Sequence, residues 1–308
     1  MTLYLPIAEM PVSVGVYLAL GAAVGFMSGL FGVGGGFLLT PLLTFLGIPP
    51  AVAVATCNAH VVASSVSGAV THYRRNNVDV KMGTVMLSAG VVGTIIGVEV
   101  VRLLRKAGMF ELVVSLAYVT FLGAVGTLIL IEGLQARRRS KATGGSSTPR
   151  KSGQHSWVDG LPFKMRFQRS KLYISAVPAV VIGMFVGFLS AIMGLGGGFI
   201  LIPAMIYILR MPTAVVVGTS LFQIVFTAAV ATVLHATQNN TVDIVLAAIL
   251  LVGGVIGAQV GTMAGDKLRG EEMRILLGVL VVIVAIRMGF DLVAIPSDLY
   301  SLGSLKGS

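Results

Sequence analysis

The sequence predicts an all-α, polytopic membrane protein built from two pseudosymmetric repeats. Three observations carry that expectation. Apolar stretches of about 20 residues, the length of a spanning helix, recur along the chain; charge is scarce and concentrated in one loop; and a glycine-rich pattern occurs twice in the same context.

Of the 308 residues, 56% are hydrophobic and 11% charged, against about 25% charged in a soluble domain. A chain of this composition does not cover itself in water, whereas a bilayer solvates it. Apolar segments run over residues 14–31, 37–46, 51–71, 82–101, 110–131, 172–193, 199–209, 213–234, 242–264 and 274–292. Eight of these read as full spans. The two at 37–46 and 199–209 reach roughly 16 Å as helix, about half the hydrocarbon thickness, and each follows a glycine cluster. The 39 glycines suit membrane helices that approach closely through small residues. Residues 1–13 carry Glu9 and no basic residue, unlike the positive start of a secretory signal, so the first apolar stretch is expected to remain as a span.

Charge assigns the sides. Ten of the 22 basic residues fall in 135–171, with Asp159 the one acid there. A basic loop between apolar spans is expected in the cytoplasm, and this concentration removes the nucleic-acid reading that a net charge of +10 invites. The organisation is then repeat 1 in 1–134, a basic loop in 135–171, repeat 2 in 172–293 and a tail in 294–308. The late part of the loop, 157–171, reads either as a segment on the inner membrane surface or as plain linker. The single cysteine, Cys57, excludes an internal disulfide.

Repetition is the most specific signal. Residues 25–41 match 187–203 at an offset of 162, keeping Gly25 with Gly187, Gly34-Gly35-Gly36-Phe37 with Gly196-Gly197-Gly198-Phe199, and Pro41 with Pro203. One inserted residue later, Thr56 matches Thr219, His72 matches His235 and Asn76-Asn77 matches Asn239-Asn240; one more aligns Asp79 with Asp243, Gly93 with Gly257 and Gly97 with Gly261. If each short segment is a crossing, every repeat crosses five times and the halves are inverted. Arg74, Arg75, Lys81, Lys267 and Arg269 then fall inside with the basic loop, and Arg102, Arg105 and Lys106 are the one violation. A re-entrant half-helix is the competing arrangement.

The glycine runs are the first candidate site. Three successive glycines break a helix, and bare backbone at membrane depth survives only inside protein or along a cavity. The first N–H groups of the helix that follows lack partners and carry the positive end of the dipole, which makes an anion site. The residues expected there are Gly34, Gly35, Gly36 and Phe37, with Gly196, Gly197, Gly198 and Phe199. Close helix packing is the plainer reading of the same glycines. No Lys-Ser/Thr follows either run, so a nucleotide loop is not expected.

A second set is polar side chains inside apolar spans: Thr56, Asn58 and His60 in one repeat, Thr219, Ser220 and Gln223 in the other, with Gln223 aligned to His60. Such groups face the bundle interior, either to support an oxyanion or to join helices; Ser64, Ser65, Ser67 and Thr227 read as packing. Asp79 and Asp243 read as helix caps, Glu99 as a local partner of Arg102, and His72 and His235 as interfacial hydrogen-bonding groups. His60 and Ser64, at i and i+4, are a poor nucleophile–base pair. No catalytic residue, metal site or cofactor is expected.

At the two Gly-x-Gly-Gly-Gly-Phe motifs, each followed by a Thr-bearing span and a His…Asn-Asn…Asp turn, the chain resembles the sulfite exporter TauE/SafE family. The resemblance covers nearly all of the chain outside 135–171 and the tail. It implies a transporter of sulfur-containing anions, sulfite or organosulfonates, multi-pass in a bacterial inner membrane, and places the family glycine motif on Gly32, Gly34, Gly35, Gly36, Gly194, Gly196, Gly197 and Gly198. The partners expected are the bilayer and a small anion, and a homodimer is allowed. An anion channel, or a membrane accessory subunit without transport of its own, are the alternatives.

Overall fold

A computed structural model of the chain describes residues 2–31, 35–142, 164–167, 169–170, 172–265 and 270–293. Ten α-helices and two β-hairpins make up the described residues. The hairpin β1 (Thr2–Leu5) and β2 (Met10–Ser13) leads into α1 (Val14–Phe31), α2 (Gly36–Phe45), α3 (Pro50–Arg74), α4 (Val80–Lys106) and α5 (Phe110–Ala142). The hairpin β3 (Lys164–Phe167) and β4 (Leu172–Ser175) leads into α6 (Ala176–Met193), α7 (Gly198–Tyr207), α8 (Thr213–Leu234), α9 (Ile244–Gly265) and α10 (Gly270–Val293). The order of elements is the same in both halves.

The hairpins are the first departure from expectation. Lys164 pairs with Ser175 and Phe167 with Leu172, so residues 164–167 form a strand. Four-residue strands are marginal alone. These are held because Leu5 and Phe167 are fully buried against the bundle and because two aspartates grip them, as described below. Residues 135–142 also differ from the linker expected, since α5 runs on through them. The remainder of the loop, 143–163, and the tail 294–308 lie outside the described residues, as do Lys267 and Arg269.

Among the described residues, seven helices are long and apolar enough to cross a membrane: α3, α4, α5, α6, α8 (with its π-helical end), α9 and α10. The eighth span expected, α1, ranks with α2 and α7 among the shorter apolar helices. Large apolar side chains stand on the outside of the bundle, among them Ile95 and Ile96 on α4, Phe185 on α6 and Ile283, Ile286 and Phe290 on α10. Water does not tolerate an apolar surface of that extent; lipid does.

Helix packing crosses between the halves. α1 packs along α9, α6 along α4, α3 along α8 and α5 along α10. Glycine makes the first two pairs possible. Added Cβ atoms at Gly25 and Gly29 would overlap the carbonyl oxygens of Gly254 and Ala258, and at Gly21 the gap to the Leu250 oxygen is 2.6 Å. From the other side Gly253, Gly257 and Gly261 meet the carbonyls of Leu18, Ala22 and Phe26. The α4–α6 pair repeats the scheme, with Gly93 on Met184, Gly97 on Phe188, Gly183 on Met86 and Gly187 on Gly90. Small residues four apart put one flat face on each helix, and with lipid as apolar as leucine, van der Waals contact and polar contact are what remain to drive association.

Two aspartates lock the ends. Asp79 caps α4 by accepting from Met82 N at 3.1 Å, and its other oxygen accepts from the Ser170 backbone N–H at 3.0 Å and hydroxyl at 2.7 Å. Asp243 accepts from Val245 and Leu246 N–H at the start of α9 and from Ile7 N–H at 3.1 Å. The Asp79 N–H donates to Thr219 Oγ1 at 3.0 Å, and the Asp243 N–H donates to Thr56 Oγ1 at 3.2 Å. Each aspartate thus joins its own helix to the hairpin and the threonine of the other half. Asp243 and the first hairpin sit beside the start of α3, and Asp79 and the second hairpin sit past its end. The two hairpins therefore lie at opposite ends of α3.

Gly257→Val should lower thermal stability in detergent by more than about 3 kcal/mol, the upper range for overpacking, because a helix backbone must move. Gly123→Ala is the control: its Cβ meets nothing within 4 Å, so stability should rise by up to about 1 kcal/mol. Asp79→Ala removes a cap and leaves buried donors at Ser170 unpaired, a loss of about 2–4 kcal/mol that differential scanning fluorimetry reads directly.

Candidate functional site: two glycine breaks at the centre of the bundle

The glycine runs break the chain as their composition requires. α1 ends at Phe31 and α2 begins at Gly36; α6 ends at Met193 and α7 begins at Gly198. Gly35 and Gly197 precede the short helices with φ of 69° and 80°, and Gly194 and Gly196 also have positive φ, a region L side chains rarely enter. The first break folds back on its own helix, with Gly35 against Ser28 of α1 at 2.9 Å for an added Cβ. Gly34 lies outside the described residues.

The two breaks meet. A Cβ on Gly36 would stand 2.7 Å from the Gly194 carbonyl oxygen and 2.6 Å from Val61 Cγ2. Gly196 touches the same Val61 and Ile224. Phe37 and Phe199, the second residues of α2 and α7, stack with ring centroids 4.9 Å apart and planes 14° from parallel. Gly35, Gly36, Gly196, Gly197, Gly198 and both rings are buried. The opening N–H groups of α2 and α7 have no intrahelical partners, so two positive helix ends begin within one buried region.

The polar side chains divide into two groups. Thr56 and Thr219 accept from the aspartate N–H groups, Thr219 also donates to the Val215 carbonyl at 2.8 Å, and Ser220 donates to the Val217 carbonyl at 2.9 Å. Their hydroxyls already serve the fold. Asn58, His60 and Gln223 are 0%, 1% and 1% exposed; the side-chain amides of Asn58 and Gln223 are without a hydrogen-bond partner, and the His60 ring has the Leu250 carbonyl alone beside it. Buried polar groups are normally paired, which makes these three stand out. The His60 ring rests on Gly254 of α9, and the Gln223 amide rests on Gly90 of α4 with Nε2 3.1 Å from an added Cβ. Asn58 is on α3 with His60, and nothing described places it against Gln223.

Further groups near the breaks lack a counterpart at the matching position, so repetition does not reveal them. Thr40 in α2 aligns with Ile202; its hydroxyl is buried beside Cys57 and Tyr118 and 3.1 Å from an added Cβ at Gly194. The Tyr118 phenol on α5 donates to the Met193 carbonyl, just before the second break. Val61 and Ile224 wedge between the breaks but are apolar residues in apolar helices, without a sequence signal. The interfacial role expected for His235 is seen: Nε2 lies 3.0 Å from the Ala191 carbonyl, and Nδ1 lies 3.0 Å from Asn239 Nδ2. Glu99 and Arg102 form a surface pair at 3.5 Å.

Two basic recesses open beyond the ends of α3 and α8. One, of about 360 Å³, is lined by Tyr73, Asn76, Lys81, Arg166 and Arg169 among others. The second, of about 310 Å³, is lined by Arg102, Arg105, Lys106, Gln238 and Asn239.

The pattern of the sulfite exporter TauE/SafE family matches residues 17–288. Among relatives, a "probable membrane transporter protein" of Xylella fastidiosa (strain 9a5c) is 29% identical over 275 residues, covering 88% of this chain and 93% of its own length. The "probable membrane transporter protein YunE" of Bacillus subtilis (strain 168) is 24% identical, covering 90% and 97%. The Arabidopsis thaliana "sulfite exporter TauE/SafE family protein 3" is 30% identical over 127 residues, 39% of this chain and 27% of that protein. No solved structure matches the chain. With the apolar helices that form the bundle, these matches make the protein an integral, multi-pass membrane transporter of the sulfite exporter TauE/SafE family.

Proposed function

We propose that this transporter exports a small sulfur-containing anion, such as sulfite or an organosulfonate, across a bacterial inner membrane by alternating access around the paired glycine breaks. The observation that carries the reading is the meeting of the breaks, Gly36 against Gly194 and Phe37 stacked on Phe199. The N–H groups of Gly36, Phe37, Gly198 and Phe199 hold the oxyanion, and Asn58, His60 and Gln223 supply side-chain donors. The sulfur chemistry rests on the family and on relatives named for sulfite export.

Lys and Arg are absent from α1, α2, α6, α7, α8 and α9. Each helix end is worth about 0.3–2 kcal/mol to an anion, so binding is modest and release stays fast, as a transport cycle requires. The position of the two hairpins at opposite ends of α3 supports inverted halves, since the helices that follow them, α1 and α6, then start on opposite faces. Arg74, Arg75 and Lys81 share a face with Arg166 and Arg169 of the second hairpin, the cytoplasmic face by charge.

The test is counterflow of labelled sulfite, sulfoacetate or thiosulfate into proteoliposomes preloaded with the unlabelled anion. Accumulation should depend on a sulfur oxyanion inside and not appear with acetate; Gly35→Val, which puts a branched side chain at positive φ, should reduce it at least tenfold. Unchanged flux in a folded Gly35→Val protein sinks the site. Gln223→Leu should raise the melting temperature, because it removes an unpaired buried amide worth about 1–3 kcal/mol, while cutting exchange at least tenfold. A gain in stability with full exchange would assign Gln223 to packing.

A further inference from the structure

His60 is the most anomalous group in the bundle. It is 1% exposed, and apart from the Leu250 carbonyl beside it the ring has no polar partner. Its aligned position in the other half, Gln223, is equally buried, and its amide is unpartnered. Each rests on a glycine of a crossing helix, His60 on Gly254 and Gln223 on Gly90. The two side chains differ in one chemical property: an imidazole can take up a proton and an amide cannot.

One acid among the described residues lies near this part of α3: the buried Asp243, whose N–H donates to Thr56 one turn before His60 and whose carboxylate accepts from the N–H groups of Val245, Leu246 and Ile7. The helices packed against α3 include α1, α2, α6, α8 and α9, and none of them contains Asp, Glu, Lys or Arg. α5 also touches α3, but Glu111, Glu132 and Arg137 lie at or beyond the ends of its apolar stretch. On α3 itself, His72, Tyr73 and Arg74 stand three turns away at the end of the helix. The other titratable groups of this core are Cys57 on α3, Tyr17 on α1 and Tyr118 on α5, and Tyr118 already donates to Met193. With the Asp243 carboxylate already held by three N–H groups, an imidazolium at this depth has no ion-pair partner among the described residues, and an uncompensated charge inside a membrane is costly. A bound anion supplies the missing charge. Anion and proton thus favour each other's presence, which is the thermodynamic condition for coupled movement.

We propose that His60 takes up a proton when the central site fills and gives it up when the anion leaves, so that transport is coupled to protons. This rests on the reading of the glycine breaks as the anion site. The proton comes from water on the loading side and returns to water on the other; no bond to the anion is made or broken. The Leu250 carbonyl on α9 lies beside the ring and accepts from one ring N–H, leaving the other for the anion.

The test uses thiosulfate and sulfoacetate, which stay ionised near neutral pH, because sulfite binds protons there by itself. Purified protein is reconstituted with a pH dye inside and the membrane potential clamped by potassium and valinomycin. Wild type should move about one proton per anion, and a pH difference of one unit, about 1.4 kcal/mol, should drive about tenfold accumulation of a singly charged load. In His60→Gln, which copies the other half, the proton-to-anion ratio should fall at least tenfold whatever rate remains. Moving the imidazole across, in the double variant His60→Gln with Gln223→His, should restore it. A wild-type ratio near zero overturns the proposal, as does a ratio near one in His60→Gln. Flux absent from both variants makes His60 an anion ligand only and also overturns it. Absence of counterflow by wild type with any sulfur anion fails the anion-site reading itself, a separate result.

Discussion

A glycine whose missing Cβ falls on the carbonyl oxygen of another helix leaves that helix no other place to sit. Ten such contacts fix α1 on α9 and α4 on α6, and the rest of the bundle follows from them. Backbone cannot rotate out of the way as a side chain does, so the fit tolerates no added atom. Because the crossings bring α9 against α1 at Gly25 and Gly254, and α4 against α6 at Gly90 and Gly187, they also set the flat surfaces on which His60 and Gln223 rest. The same glycines that hold the helices together define the space left for polar groups between them.

Rigid pairs and open breaks divide the work. α1 with α9, and α4 with α6, are tight along several turns. The short helices start from glycines in left-handed conformation and end against α3 and α8, whose Val61 and Ile224 fill the gap between the breaks. Hinge and shear motions use elements that repack without losing close contact. The paired helices meet through backbone, whereas at Val61, Ile224 and the stacked phenylalanines the contacts are made by side chains.

Much of this was legible in the residues. Helix ends at Phe31 and Met193 follow from the glycine runs, and the capping role of Asp79 follows from its place before an apolar stretch. The segments read as 14–31 and 82–101 lie within or match α1 and α4. The hairpins were not legible, because four-residue strands carry little periodicity and their stability comes from Asp79 and Asp243 far along the chain. The division among the polar residues was also hidden. Thr56 and Asn58 look alike in sequence, yet the first is bound to a backbone N–H and the second is without a partner; only the distant partner separates them. Partner choice between helices was equally out of reach, since glycines at a spacing of four mark a face without naming what lies on it.

The cross-over of helices between the halves has a consequence for biosynthesis. α1 leaves the ribosome first, and its partner α9 starts more than 200 residues later. Asp243, which grips the first hairpin through Ile7, arrives as late. α1 and the first hairpin must therefore wait in the membrane without their main contacts until nearly the whole chain is inserted. The long sequence separation makes final assembly slow relative to insertion, and the first half by itself has no complete glycine-paired helix couple to fold around. Assembly is thus a single late event in which both halves become native together.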